Sequence, residues 1–128
     1  MSVASEAKAD SPSADLIPLL ESAAQAANTL RDRSRDAVAG KVSQGGKIDG
    51  EALEREQHAA HGLAWIATYA EALNQIASYA SRMAGEGRFG EMEALLAQVG
   101  AAEYASQLAC GVPMSQGEIA RTHELGVS

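Results

Sequence analysis

Residues 51–119 carry two long stretches in which small and apolar side chains recur every three to four positions, parted by a glycine loop. That period is the helical one, and it leaves little room for a sheet. The second stretch, residues 50–84, places Leu63, Ile66, Tyr69, Leu73, Ile76, Ala80 and Met83 on one face. Asp49 before it suits an N-cap, with Glu51 in the first turn. At about 1.5 Å per residue such a helix is roughly 50 Å long. The third stretch, residues 90–110, offers Met92, Leu95, Leu96, Val99, Ala102 and Leu108 as its apolar set.

Composition agrees with an all-α reading. Alanine fills 27 of 128 positions and aromatic residues make up 4%. Alanine is the best helix former, whereas strands draw on β-branched and aromatic side chains. Small side chains also let helices approach closely. A first helix over residues 15–42 follows from the spacing of Leu16, Leu19, Leu20, Ala23, Ala27, Leu30, Ala37 and Val38, with Asp15 as cap and Pro18 in the first turn. The expected fold is therefore an up-down bundle of three main helices in one domain, residues 15–128. A Ser-, Ala-, Lys- and Asp-rich tail, residues 1–14, is expected to be disordered. Gly45-Gly46 breaks the chain between the first two helices. Gly111 and Pro113 end the third. Beyond them Ser115-x-x-Glu118 has capping-box spacing, so that one further helical turn and an irregular tail are both open.

Charge and cysteine content narrow the function. A net charge of −7 disfavours a phosphate backbone as partner, so no nucleic acid is expected. No apolar run nears the ~20 residues needed to span a bilayer. The lone Cys110 cannot form an internal disulfide and reads as a small buried hydrophobe, and a reducing cytoplasm is the simplest compartment.

Several motifs invite a chemical reading. Gly85-x-Gly87-x-x-Gly90 spells the dinucleotide fingerprint, but that fingerprint needs a strand before it, and a helix stands there instead. The loop reads as a helix-to-helix turn. Gly46-Lys47 lacks both the spacing and the strand of a phosphate loop. The segment from Glu54 through His58 and His61 to Trp65 is the densest in polar chemistry. Glu54, His58 and His61 can share a helix face and could ligate zinc or iron. The paired Glu-x-x-His motifs of a di-iron bundle are missing, because position 57 is Gln and position 55 is Arg. The plainer alternative is a polar contact face. The Arg31, Asp32, Arg33, Arg35, Asp36 run reads as a solvated face. Glu103 and Tyr104 interrupt an apolar helix and suggest a hydrogen bond across the bundle. No self-contained catalytic set is visible.

Three blocks carry a family resemblance: LEREQHAAHGLAWIATYAEAL from Leu53, GRFGEMEALLAQVGAAEY from Gly87 and GVPMSQGEI from Gly111. They resemble the N-terminal helical extension of long bacterial acyl-CoA dehydrogenase-like proteins. The resemblance covers residues 47–126. It implies FAD, an acyl-CoA substrate and a catalytic glutamate for the associated dehydrogenase, none of which maps onto a residue here. The implied role is an accessory helical module, with no cofactor of its own, that forms a homodimer or docks on a dehydrogenase body. His58, His61, Trp65, Tyr69 and Met114 are the candidate interface residues. A small metal-binding bundle using Glu54, His58 and His61, or a free-standing adaptor, are the alternatives.

Overall fold

The computed structural model of the chain describes residues 12–127, with side chains from residue 15 onward. The order along the chain is α1 (Pro12–Val42), β1 (Ser43–Gln44), β2 (Lys47–Ile48), α2 (Gly50–Arg55), α3 (Gln57–Gly85), α4 (Glu91–Cys110), β3 (Val112–Pro113), β4 (Ile119–Ala120) and α5 (Thr122–Leu125). Helices α1, α3 and α4 form the expected all-α bundle. The α1–α3 contact is the most extensive, and α4 packs more on α3 than on α1.

Helix α1 begins three residues earlier than the sequence suggests. Asp15 therefore lies in its first turn instead of capping it, and Pro18 falls inside the helix. Residues 12–14 of the tail read as 1–14 fall within α1; residues 1–11 lie outside the described residues. The buried side of α1 is Leu16, Leu20, Ala24, Ala27, Ser34, Val38 and Val42, whereas Leu19 points outward. Asn28 adds a polar contact to this seam. Its side-chain amide and that of Asn74 on α3 exchange two hydrogen bonds, each 2.9 Å. Arg31 donates to the Asn28 carbonyl oxygen at 2.9 Å.

Gly45 and Gly46 do more than break α1. Their φ values of +58° and +78° build the two-residue turn that joins β1 to β2, with Ser43 opposite Ile48. Both positions of this turn need positive φ, which glycine adopts without a Cβ clash. Asp49 then caps α2 as expected, its carboxylate accepting from the Glu51 N–H at 3.1 Å.

The long second helix is two helices. The chain bends at Glu56 (φ −101°, ψ 22°), although the Glu56 N–H still reaches the Ala52 carbonyl and the Ala60 N–H the Glu56 carbonyl. No glycine or proline marks this bend. Lys41 at the end of α1 pairs with Glu56 at 3.5 Å and donates to the Glu124 carbonyl at 3.3 Å, so it ties three segments together. The core face of α3 is Ala59, Gly62, Ile66, Ala70, Leu73, Ala77 and Ala80. Ile66 is fully enclosed.

The region after α4 is an ordered lid on this core. Strands β3 and β4 pair antiparallel, Val112 opposite Ala120. A 3-10 turn at Ser115–Gly117 connects them, and the Met114 N–H donates to the Glu118 carbonyl at 2.7 Å. Within this region the capping contact forms at α5, where the Glu124 carboxylate accepts from the Arg121 N–H at 3.0 Å. Val112, Met114, Ala120, Leu125 and Val127 are all buried. Gly62 of α3 lies against this lid: a Cβ there would lie 2.8 Å from the Ala120 Cβ.

Candidate functional site

The face of α4 that meets the bundle is made of small residues. Ala94, Ala97, Ala101 and Leu108 are buried, and a Cβ on Gly100 would stand 3.2 Å from Ile76. Small residues suit a close helix contact with α3. The larger apolar side chains read as core in the sequence face the opposite way. Met92 is 64% exposed, Leu95 50%, Leu96 62% and Val99 69%. Ala102 is exposed beside them. These positions follow the i, i+3, i+4, i+7 spacing of a single helix face. A hollow of about 300 Å³ between Leu96, Ala97, Gln75, Ile76 and Tyr79 extends this face toward α3. Helix α4 is thus apolar on two sides, and this chain covers only one of them. A periodicity argument could not choose between the two faces of α4. The run of alanines in step with Gly100 was the signal that could have done so.

The second surface is the outer edge of α3. His61, Trp65 and Tyr69 follow one another at four-residue spacing and share a helix face. The Trp65 indole N–H donates to His61 Nε2 at 3.0 Å. The Trp65 and Tyr69 rings meet edge-on at 6.1 Å, and Tyr69 meets Tyr104 of α4 at 4.9 Å. Burial, chiefly, raises the Tyr69 phenol pKa, helped by Tyr104 and Glu103. Tyr104 is thus a packing residue. Glu103 is exposed and accepts from Gln107 on its own helix, not across the bundle as expected.

His58 and His61 line one hollow with Gln57 and Glu118, and His58 also reaches α5. Its Nε2 lies 3.7 Å from Glu124 Oε2, a pairing that is ionic when the imidazole is protonated. Glu124 itself titrates low, first because of the Arg121 N–H and then the Arg121 charge and His58. His58 and His61 are thus drawn to different partners. Among the described residues, no three His, Cys, Asp or Glu side chains converge to hold a metal ion, Glu54, His58 and His61 included. Of the candidate interface residues, His58 and His61 are exposed, Trp65 and Tyr69 half-buried, and Met114 sits in the chain's own core. Cys110, expected to be buried, is exposed and free.

The glycine loop does not fit a pyrophosphate. A phosphate at a helix N-terminus needs free N–H groups and no competing anion. At the start of α4 the Glu93 carboxylate already accepts from the Gly90 N–H at 3.0 Å. Gly87 (φ +68°) merely reverses the chain after α3. The mixed-sign run of α1 is a solvated face: Arg31 and Arg35 both pair with Asp32, and Arg35 also with Asp36. Among the described residues no helix is long and apolar enough to cross a membrane.

Comparison with known proteins places this bundle. The chain is 45% identical over 113 residues to the (2S)-methylsuccinyl-CoA dehydrogenase of Cereibacter sphaeroides. The chain fits an N-terminal fragment of an acyl-CoA dehydrogenase. The match takes in 88% of the chain but 21% of that dehydrogenase, so the chain spans about a fifth of its relative's length. No protein-family model matches the chain. Since 113 of the 128 residues are matched, the relatedness takes in most of the helical bundle and is not confined to one motif.

Proposed function

We propose that the chain is a helical accessory module of an acyl-CoA dehydrogenase-like flavoenzyme, which docks on the dehydrogenase body and contributes no reacting group. The observation that carries this reading is the match at 45% identity over nearly the whole chain to a fifth of a dehydrogenase. The build of α4 supports it, because one side packs on this bundle and the other waits for a neighbour. FAD and the acyl-CoA thioester then belong to the dehydrogenase body. The free, exposed Cys110 is in keeping with a reducing cytoplasm as the compartment.

A chimaera tests the proposal. The matched fifth of the Cereibacter sphaeroides dehydrogenase is replaced by this chain, beside a deletion lacking that fifth. The chimaera is expected to turn over (2S)-methylsuccinyl-CoA within about tenfold of the intact enzyme, and the deletion to be less stable or less active. A chimaera no better than the deletion would refute the reading.

A further inference from the structure

Helix α4 leaves a large apolar face uncovered, and the charges around it say what can cover it. We infer that the outward face of α4, formed by Met92, Leu95, Leu96 and Val99, is the seat of the dehydrogenase body, and that the surface meeting it is apolar with a basic rim. This inference rests on the function proposed above.

Four large apolar side chains on one helix face, each at least half exposed, form a contiguous patch of the kind that marks an interaction site. The hollow beside Leu96, floored by Ile76 and Ala97, offers a socket for one protruding side chain of the partner. Two occupants are conceivable: a second copy of the chain, or the remaining four-fifths of the dehydrogenase.

Charge decides between them. Helix α4 contains Glu91, Glu93 and Glu103 and neither Lys nor Arg. Glu91 and Glu103 are exposed near the two ends of the apolar strip. Pairing α4 with α4 of a second copy would gather six glutamates around one interface, with no basic residue of either α4 to offset them. Like charges facing across an interface disfavour that partner. A net charge of −7 for the whole chain adds to the repulsion. A body with Lys or Arg around an apolar patch gains from the same glutamates. The relative is long enough to supply a body of the size needed, since only 21% of it is matched.

The test uses Leu95→Asp with Val99→Asp, first in the isolated chain and then in the chimaera. Both side chains are exposed in the isolated chain, so its melting temperature is expected to change by less than about 2 °C, as for surface substitutions away from packed features. In the chimaera the same pair is expected to reduce stability and turnover to those of the deletion variant. Glu91→Lys with Glu103→Lys is expected to weaken the chimaera in the same direction without unfolding the isolated chain. By light scattering the isolated chain is expected to be monomeric at micromolar concentration.

Three results would overturn the inference. One is a Leu95→Asp, Val99→Asp chimaera as stable and active as its parent. Another is loss of folding in the isolated variant, which would make the face part of the chain's own core. The third is a dimer of the isolated chain that Leu95→Asp with Val99→Asp dissolves. An inert parent chimaera instead removes the function proposed above, so the two failures are distinguishable.

Discussion

Gly62 faces the Ala120 Cβ at a distance that leaves no room for a side chain of its own. Alanine in a helix is favoured over glycine by about 1 kcal/mol. Overpacking a tight contact costs about 1–3 kcal/mol. The clash wins, so Gly62→Ala is expected to lower stability by about 1 kcal/mol in denaturant unfolding. Gly40 in α1 has open space around its would-be Cβ. Gly40→Ala is expected to raise stability by about 0.5–1 kcal/mol, because only the propensity remains. Equal signs for the two substitutions would contradict this packing. Glu124 gives a second prediction at this scale. Its pKa is lowered by the Arg121 N–H, the Arg121 charge and His58. Its stabilising share is therefore full above the free-carboxyl value of about 4.3 and is lost as pH falls through the lower folded value. NMR titration is expected to give a Glu124 midpoint below that of a free glutamate, and Arg121→Pro, which deletes both the donor and the charge, to move it upward. A midpoint at the ordinary value in the unaltered chain would mean that the α5 capping box does not form.

At the scale of elements, helices were legible and their edges and faces were not. The spacing from Leu63 to Ala80 marked α3, and Asp49 marked its approach, because amphipathic period and capping are local physics. The bend at Glu56 left no trace, since the backbone bonds on either side of it persist and no breaker residue stands there. The Gly45-Gly46 hairpin was readable only as a break, because its strands are two residues long. The β3–β4 pairing depends on Ala120 finding Gly62 far back in the chain, which no local pattern announces. Helix α4 misled for a different reason: a helix with apolar residues on two sides has no preferred face, and only the fit of alanines against α3 sets one. The polar seam between α1 and α3 was also hidden. Asn28 and Asn74 each satisfy the other's amide. Removing one leaves the other short of a partner, at about 1–3 kcal/mol when buried and less here, where both are half-exposed. Asn28→Ala and Asn74→Ala are each expected to cost about 1 kcal/mol, and the double variant less than their sum. Strict additivity would show that the pair does not bond in solution.

For the whole molecule, the residues that look most chemical serve packing. His61 accepts from Trp65, His58 meets Glu124, and Tyr104 meets Tyr69 edge-to-face. The candidate site lies instead on a helix face without a titratable group at its centre, which a search for ligands and bases passes over. The resemblance carried by the blocks around Leu53, Gly87 and Gly111 pointed to a dehydrogenase, and the 45% identity to one supports that reading. The bundle then has two sides: an inner core closed by the α5 lid, and the outer apolar strip of α4, which the proposed reading assigns to the dehydrogenase body. Hydrogen–deuterium exchange tests this account most directly, comparing the isolated chain with the same segment inside the chimaera. The account predicts added protection centred on residues 91–103 and on Gln75–Tyr79 beside them, with α1 and α5 unchanged. Protection that falls on the His61–Tyr69 edge or on the α5 lid, with none on α4, would contradict it.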